Sequence, residues 1–405
     1  LILHMIRPKF NLTKVLEKKQ IPIRAIYISS YIPRKCGIAT FTKDLTSVIN
    51  LLNPEALAEI VALTDPDSEY DYPWEVKFRI EQENANDYSE AAKYINQSSA
   101  DVVCLQHEFG LFGGVSGDYI LPMLDSIEKP IVSCFHTILP NPSDHQKYVM
   151  SRIVGKSDAV IAMSKESKKL LVDIYGADED QAVVIYHGVP DVNFEESNKY
   201  KKELNIEAER MILMSGLLSA GKGMEYSIEA MPEILKHFPS TKLYIVGETH
   251  PSVLRNEKEN YRDKLINLSK KYEIEQNVIF INEFLELEDL MKYYKAADIY
   301  ITPHLDPQQP TSGTLSKALG VGNVCISTPY LYASEMLAED VGILVPFKES
   351  QPISDAVIKV LGNPTLFEQY RESAFKIGKL MQWPRVAARY LELVKTIINS
   401  ENGNF

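Results

Sequence analysis

Residues 302–329, TPHLDPQQPTSGTLSKALGVGNVCISTP, read as strand, polar loop, helix start, short helix, glycine turn and second strand. The loop Gln309-Pro310-Thr311-Ser312-Gly313-Thr314 places small hydroxyl donors where the helix begins, together with the free amides near Gly313, Thr314 and Leu315. A helix start gathers unpaired N–H groups and the positive end of the dipole, which suits an anion such as a phosphate. Gln309 can hydrogen-bond a hydroxyl, whereas Lys317, eight positions on, has donors only. The chemistry on offer is therefore electrostatic: holding a charged group rather than attacking one.

A second cation lies in Ser215-Gly216-Leu217-Leu218-Ser219-Ala220-Gly221-Lys222-Gly223, where Lys222 stands between two glycines ahead of a helix and is placed to meet a diphosphate. This is not a Walker A loop, because Gly223 follows the lysine where Ser or Thr is required. In Tyr31-Ile32-Pro33-Arg34-Lys35-Cys36-Gly37-Ile38-Ala39-Thr40, Gly37 is expected to permit a tight turn and close backbone approach, with Ala39 and Thr40 opening a helix. His136 ends a strand, where a histidine donates to a substrate hydroxyl, shuttles a proton or is a structurally satisfied side chain. His107 and Glu108 end another strand and are read as shaping an acceptor pocket; a zincin motif is excluded because position 111 is Leu111. His187-Gly188 marks a turn into a cleft, and Asp65-Pro66-Asp67 reads as a solvated turn rather than a metal clamp. No spacing of residues predicts a metal site.

These groups need a scaffold. Short β-rich runs alternate with helical patterns along the whole chain, several of them continuously apolar, as in parallel strands covered on both faces. Strands are expected at 24–29, 59–63, 75–80, 101–106, 130–135, 159–163 and 182–186. A second series is expected at 211–215, 242–246, 278–281, 299–302, 324–327 and 342–345. Helices are expected at 224–236, 258–271, 289–296 and 354–361, with a last one over 380–398. The fold class is α/β: two doubly wound units whose strand ends face an interdomain cleft, with the last helix crossing back to the first unit. The expected divisions are an arm at 1–20, a first domain at 21–190, a linker at 191–205, a second domain at 206–380 and the closing helix at 381–405.

The chain has 405 residues, Lys+Arg 43 against Asp+Glu 55, and a net charge of -12, which argues against binding nucleic acid or anionic membranes by bulk charge. Four dispersed cysteines without a CxxC pair suit a reducing compartment, and no apolar run reaches the ~20 residues of a membrane span. A cytoplasmic protein is expected, with peripheral membrane contact left open.

Together, YIPRKCGIATF, FHT, the Met163-Ser164 pair, YHGVP, SGLLSAGKGMEYSIEAMP, LYIVGE, ADIYITP, TSGTLSKALGVGNVCISTP and WPRVAARYLELV resemble, in order and spacing, the retaining GT-B glycosyltransferases of family GT4. The resemblance runs from about Arg24 to about Val394 and departs at known positions: one glycine (Gly37) in the first loop, Leu217 where an arginine is usual, and Gln309 and Lys317 in place of two glutamates. It implies transfer of a hexose from a nucleotide-diphosphate sugar to a saccharide or other hydroxyl acceptor, with no cofactor or metal required. It implies donor binding by Gly37, Gly216, Lys222, Gln309, Ser312, Gly313, Thr314, Leu315 and Lys317, catalysis by His136 and Lys222, and an acceptor side at His107, Glu108 and His136. The lost glutamates keep two other readings open: a non-catalytic nucleotide-sugar-binding or partner protein, and a GT-B epimerase or phosphorylase.

Overall fold

The computed structural model describes residues 22–249 and 251–401; the expected N-terminal arm lies outside them. Two parallel sheets form, one after the other. The first is built from β1 (Ala25–Ser29), β2 (Glu59–Thr64), β3 (Val76–Glu81), β4 (Val102–His107), β5 (Ile131–Phe135), β6 (Ala159–Ala162) and β7 (Ala182–Val184), in the order β3-β2-β1-β4-β5-β6-β7. The second contains β8 (Arg210–Ser215), β9 (Thr241–Val246), β10 (Val278–Ile281), β11 (Ile299–Thr302), β12 (Val324–Ser327) and β13 (Ile343–Leu344), in the order β10-β9-β8-β11-β12-β13. Both are parallel throughout, and in each the chain reverses direction of growth beside its first strand, between β1 and β4 and between β8 and β11. Ligands of such sheets bind outside the carboxyl ends of the strands at those two points.

Strand parity assigns each apolar run to two cores. Along β1, Ile26 and Ile28 join one cluster with Val103 and Leu105, while Ala25 and Tyr27 join the other with Val102 and Cys104. The second sheet is sandwiched in the same way, with Leu213 and Tyr300 on one face and Ile212 and Ile301 on the other. Burial on both faces removes the polar alternation of a half-exposed strand.

The helix Trp383–Glu401 crosses back onto the helix Gly37–Leu52. Its buried positions Trp383, Val386, Ala387, Tyr390, Val394 and Ile397 recur at helical spacing and share a cluster with Phe41, Leu45 and Ile49. The junction is tight: Trp383 N donates to Val189 O (2.9 Å), Val189 N donates to Met381 O (2.8 Å), and a Cβ added at Gly188 would lie 2.1 Å from the Trp383 ring.

Three helices differ from expectation. The polar stretch expected as a linker contains the helix Ser197–Glu203, fixed by a buried ion pair from Lys201 Nζ to Asp298 (2.6 Å). The helix Pro364–Gly378, unexpected from sequence, packs against the helix Gly313–Val321 while burying only Arg371, Ala374 and Gly378. Its thin apolar stripe explains why periodicity missed it. The helix expected at 258–271 runs over Asn260–Lys271, and a short helix not expected from sequence, Pro251–Glu257, precedes it.

Candidate active site

On the second-domain side, Ser312 caps the helix Gly313–Val321, its Oγ accepting from Leu315 N at 3.2 Å. The Tyr294 hydroxyl donates to Thr314 O (3.1 Å) and the Ser316 hydroxyl to Ser312 O (2.9 Å), so the helix start is held from beneath. Gly216, after β8, has φ +118°, and a Cβ there would meet the Thr314 methyl at 3.3 Å. The glycine therefore lets the exit of β8 lie against the start of the helix.

The turn Ala220–Lys222 is locked to the exit of β11: Leu305 N donates to Gly221 O (2.9 Å), and Gly223, at φ +62°, has no room for a Cβ, which would sit 2.2 Å from Pro303 O. This presents Lys222, whose ammonium is half-buried and has no hydrogen-bond or ion-pair partner among the described residues. Burial lowers its pKa. Next to it stands His304, stacked on Tyr330 with ring centres 5.0 Å apart. Burial, with the Lys222 charge adding to it, lowers the His304 pKa to about 3, with the Gln309 side chain opposing the shift. Gln309 Nε2 also donates to Thr311 O (3.0 Å).

The first domain supplies the opposite wall. His136 Nε2 lies 2.9 Å from Gln106 Oε1 and carries the proton in that bond, leaving Nδ1 as the free acceptor. Burial lowers its pKa to about 3. Phe41 meets both His136 (4.8 Å between ring centres) and His187 (5.1 Å) edge-on. His187 Nδ1 donates to Gly188 O (2.8 Å), which turns the unprotonated Nε2 towards Gly313; a Cβ on that glycine would come within 2.8 Å of it. Burial, then the Lys317 charge, lowers the His187 pKa to about 3.

Lys317 faces the same wall. Burial lowers its pKa and Asp44 opposes that shift; burial raises Asp44 to about 6 and Lys317 opposes it. Further contacts join the halves. Lys35 pairs with Glu248 (3.2 Å), Ser167 Oγ donates to Pro310 O (3.3 Å), and the Glu335 carboxylate accepts from Lys165 N (2.9 Å) and Glu166 N (3.0 Å) at the start of the helix Lys165–Tyr175. The result is a cleft, at both crossover points, around one partly buried helix start and two cations lacking a direct counter-ion.

Two family models divide the chain between them: Glycosyltransferase Family 4 matches residues 59–192 and Glycosyl transferases group 1 matches residues 196–377. The chain belongs to the group 1 glycosyltransferases of family 4. An uncharacterized glycosyltransferase of Methanocaldococcus jannaschii is 28% identical over 249 residues, covering 59% of this chain and 60% of that protein. The alpha-monoglucosyldiacylglycerol synthase of Streptococcus pneumoniae is 24% identical over 335 residues, covering 76% of this chain and 71% of that one. Among solved structures, the sucrose-phosphate synthase of Thermosynechococcus elongatus superposes with a TM-score of 0.75 at 17% identity, covering 93% of this chain and all (100%) of that chain, which shows a shared GT-B fold.

In this glycosyltransferase the fold gathers Gly216, Lys222, Gln309, Ser312, Gly313, Thr314 and Leu315 on one wall, and points Lys317 at the wall that carries His136. Two expectations are corrected. His107 does not line the cleft: it is fully buried, neither ring nitrogen has a partner, and it is enclosed by Phe109, Phe112 and Phe135. It shares parity with Val103 and Leu105, so the pleat turns it into the far core, while Gln106 faces His136. Gly37 makes no tight turn; it is the first residue of its helix, two positions before the expected start, and its conformation does not require glycine. The space in front of it is open, with nothing within 4 Å of an added Cβ. Glu108 is satisfied locally, by the Thr137 hydroxyl (2.5 Å) and Phe109 N (3.0 Å).

His304 was missed as a site residue, although its signal matched that of His136: a histidine just past the end of a central strand. Asp44 and Glu335 gave no sequence signal, since their partners lie in the other domain. No helix among the described residues is long and apolar enough to cross a membrane.

Proposed function

We propose that the enzyme is a retaining hexosyltransferase, moving the sugar of a nucleotide-diphosphate sugar to a saccharide or other hydroxyl acceptor. The observation that carries this reading is the capped start of the helix Gly313–Val321 opposite the unpartnered Lys222, at the carboxyl ends of the strands. Free amides at a helix start and a nearby ammonium suit the two phosphates of a leaving nucleoside diphosphate. In the reaction the bond from the anomeric carbon to the phosphate oxygen breaks, a bond to the acceptor oxygen forms on the same face, and the acceptor proton passes to the departing diphosphate. Stabilising the charge on that leaving group, and holding the acceptor against it, are the protein's share of the work.

The geometry supports the following residue roles. Lys222 and the amides of Gly313 and Thr314 hold the diphosphate, with Gly216 giving it room, while the Leu315 amide is taken by the Ser312 cap. Gln309 is held by its bond to Thr311 O and is placed to hydrogen-bond a sugar hydroxyl. His136, with its basicity depressed, is an orienting partner for the acceptor rather than a base. Lys317 has no lone pair to accept from a ribose diol and engages the first domain instead.

The test is to incubate the enzyme with UDP-, GDP- and ADP-glucose and a panel of sugar acceptors, and to read the new linkage by NMR. Formation of an α-linked product from an α-linked donor supports the proposal. A β-linked product overturns the retaining step, and nucleotide-sugar binding without turnover across the panel favours the non-catalytic reading that Gln309 and Lys317 motivate.

A further inference from the structure

We propose a second anion site in this protein, outside the cleft, at the amino ends of the strands of the second sheet. It is centred on Arg210, the first residue of β8. The Arg210 Nε is shielded from solvent without a hydrogen-bond partner, and its guanidinium has no ion pair among the described residues, only a face-on approach to the Phe367 ring at 6.0 Å. It lines a cavity of about 180 Å³ with Ser197, Asn198, Asp298, Phe367 and Arg371.

The other charges around this cavity are already matched. Asp298 takes Lys201 Nζ (2.6 Å), the Ser197 hydroxyl (2.7 Å) and Met211 N (2.7 Å). Arg371 donates to Glu195 O (2.7 Å) and pairs with Glu368 (3.3 Å). Glu196 leans on Arg371 from the rim at 3.8 Å with its side chain 83% exposed. Arg371 is thus shared by two carboxylates, and Arg210 is the charged group of the lining that has no ion pair among the described residues.

A guanidinium stays protonated at any physiological pH and presents pairs of parallel N–H groups that fit the edge of a carboxylate or phosphate. Leu361, Pro364 and Phe367 add an apolar wall, and the Asn198 amide adds a donor and an acceptor. The ligand is therefore a small oxyanion on a short carbon skeleton, carrying carboxylate or phosphate. Its place in the fold gives it a purpose. One wall is the segment joining the domains (Ser197, Asn198), and the others are the sheet edge and the helix Pro364–Gly378. An anion bound there adds to the ties that Ser197 and Lys201 already make from the connecting segment to Asp298 of the second domain.

The experiment is calorimetric titration of the whole chain with inorganic phosphate and, separately, with acetate, each against chloride at equal ionic strength. Because the cleft is itself suited to phosphate, wild type is compared with Lys222→Ala, Arg210→Met and Arg210→Lys. Saturable binding is expected in wild type and Lys222→Ala, roughly ten- to hundredfold weaker in Arg210→Met, with Arg210→Lys between them; whichever anion binds more tightly identifies the head group. Uptake of neither anion by wild type overturns the proposal, as does unchanged binding in Arg210→Met. Loss in Lys222→Ala alone assigns the binding to the cleft and overturns it too. If Arg210→Met fails to fold, Arg210→Lys carries the test, and wild-type affinity in that variant counts against the site.

Discussion

A methyl group on Gly313 tests whether the two walls of the cleft meet as described. The added Cβ would lie 2.8 Å from His187 Nε2, 3.1 Å from Cε1 and 3.6 Å from Cδ2. The first of these is roughly 0.7 Å inside an ordinary ~3.5 Å contact. The ring has little freedom to retreat, since Nδ1 is bonded to Gly188 O and the flanks are taken by Phe41 and Trp383. Forcing a group into such a packed site costs about 1–3 kcal/mol. The two partners belong to different domains, so the cost falls on the closed arrangement rather than on either core. Gly313→Ala is therefore expected to weaken nucleotide-sugar binding about 5- to 150-fold, measured by calorimetry with whichever of UDP-, GDP- or ADP-glucose binds the wild type. Adding His187→Ala removes the obstacle and restores most of the lost affinity, a coupling that a double-mutant cycle isolates. An unaltered affinity in Gly313→Ala refutes the reasoning. So does a defect that persists undiminished in the double variant, because the methyl would then be acting on the ligand and not on the wall.

Three further outcomes are expected. Lys222→Met should keep the fold and lower turnover by roughly 10²–10³-fold, the usual range for a lost electrostatic stabiliser; a melting curve with nucleotide-release kinetics checks both halves of that statement. Lys201→Met leaves Asp298 buried beside Ser197 and Met211 N without its cation, and should cost about 3–5 kcal/mol in denaturant unfolding. His107, with its pKa lowered to about 3 by burial, binds its proton only in the unfolded chain over the window from about pH 6.5 down to 3. Stability should then fall with acid by about 1.4 kcal/mol per pH unit from this group. His107→Leu should remove one proton from the slope of unfolding free energy against pH, and an unchanged slope would contradict its sealed environment.

The strands were legible because burial on both faces leaves unbroken apolar runs such as VVCL at 102–105 and VCIS at 324–327. The helix Ser197–Glu203 was not, because SNKYKKE has no apolar face and is held by Asp298, about a hundred positions away. In the cleft, turn chemistry revealed Lys222 and the Gly313 helix start, both local features of glycine and small hydroxyl residues. What stayed hidden is relational: that His187 meets Gly313, that Lys317 turns to Asp44, and that Glu335 caps a helix of the other domain. Strand ends alone could not separate His136 from His107, since only the pleat decides which side of the sheet a residue serves.

The return of the helix Trp383–Glu401 also bears on how the protein is made. The face of Phe41, Leu45 and Ile49 has its cover supplied by residues some three hundred and fifty positions later. A ribosome releases those residues after the whole second sheet, so the half that emerges first is the half completed last. Until then it exposes an apolar surface shaped for Trp383 and Tyr390, while the later half can already be closed. Synthesis order and completion order are thus inverted, and the nascent first domain is the species that a chaperone would meet.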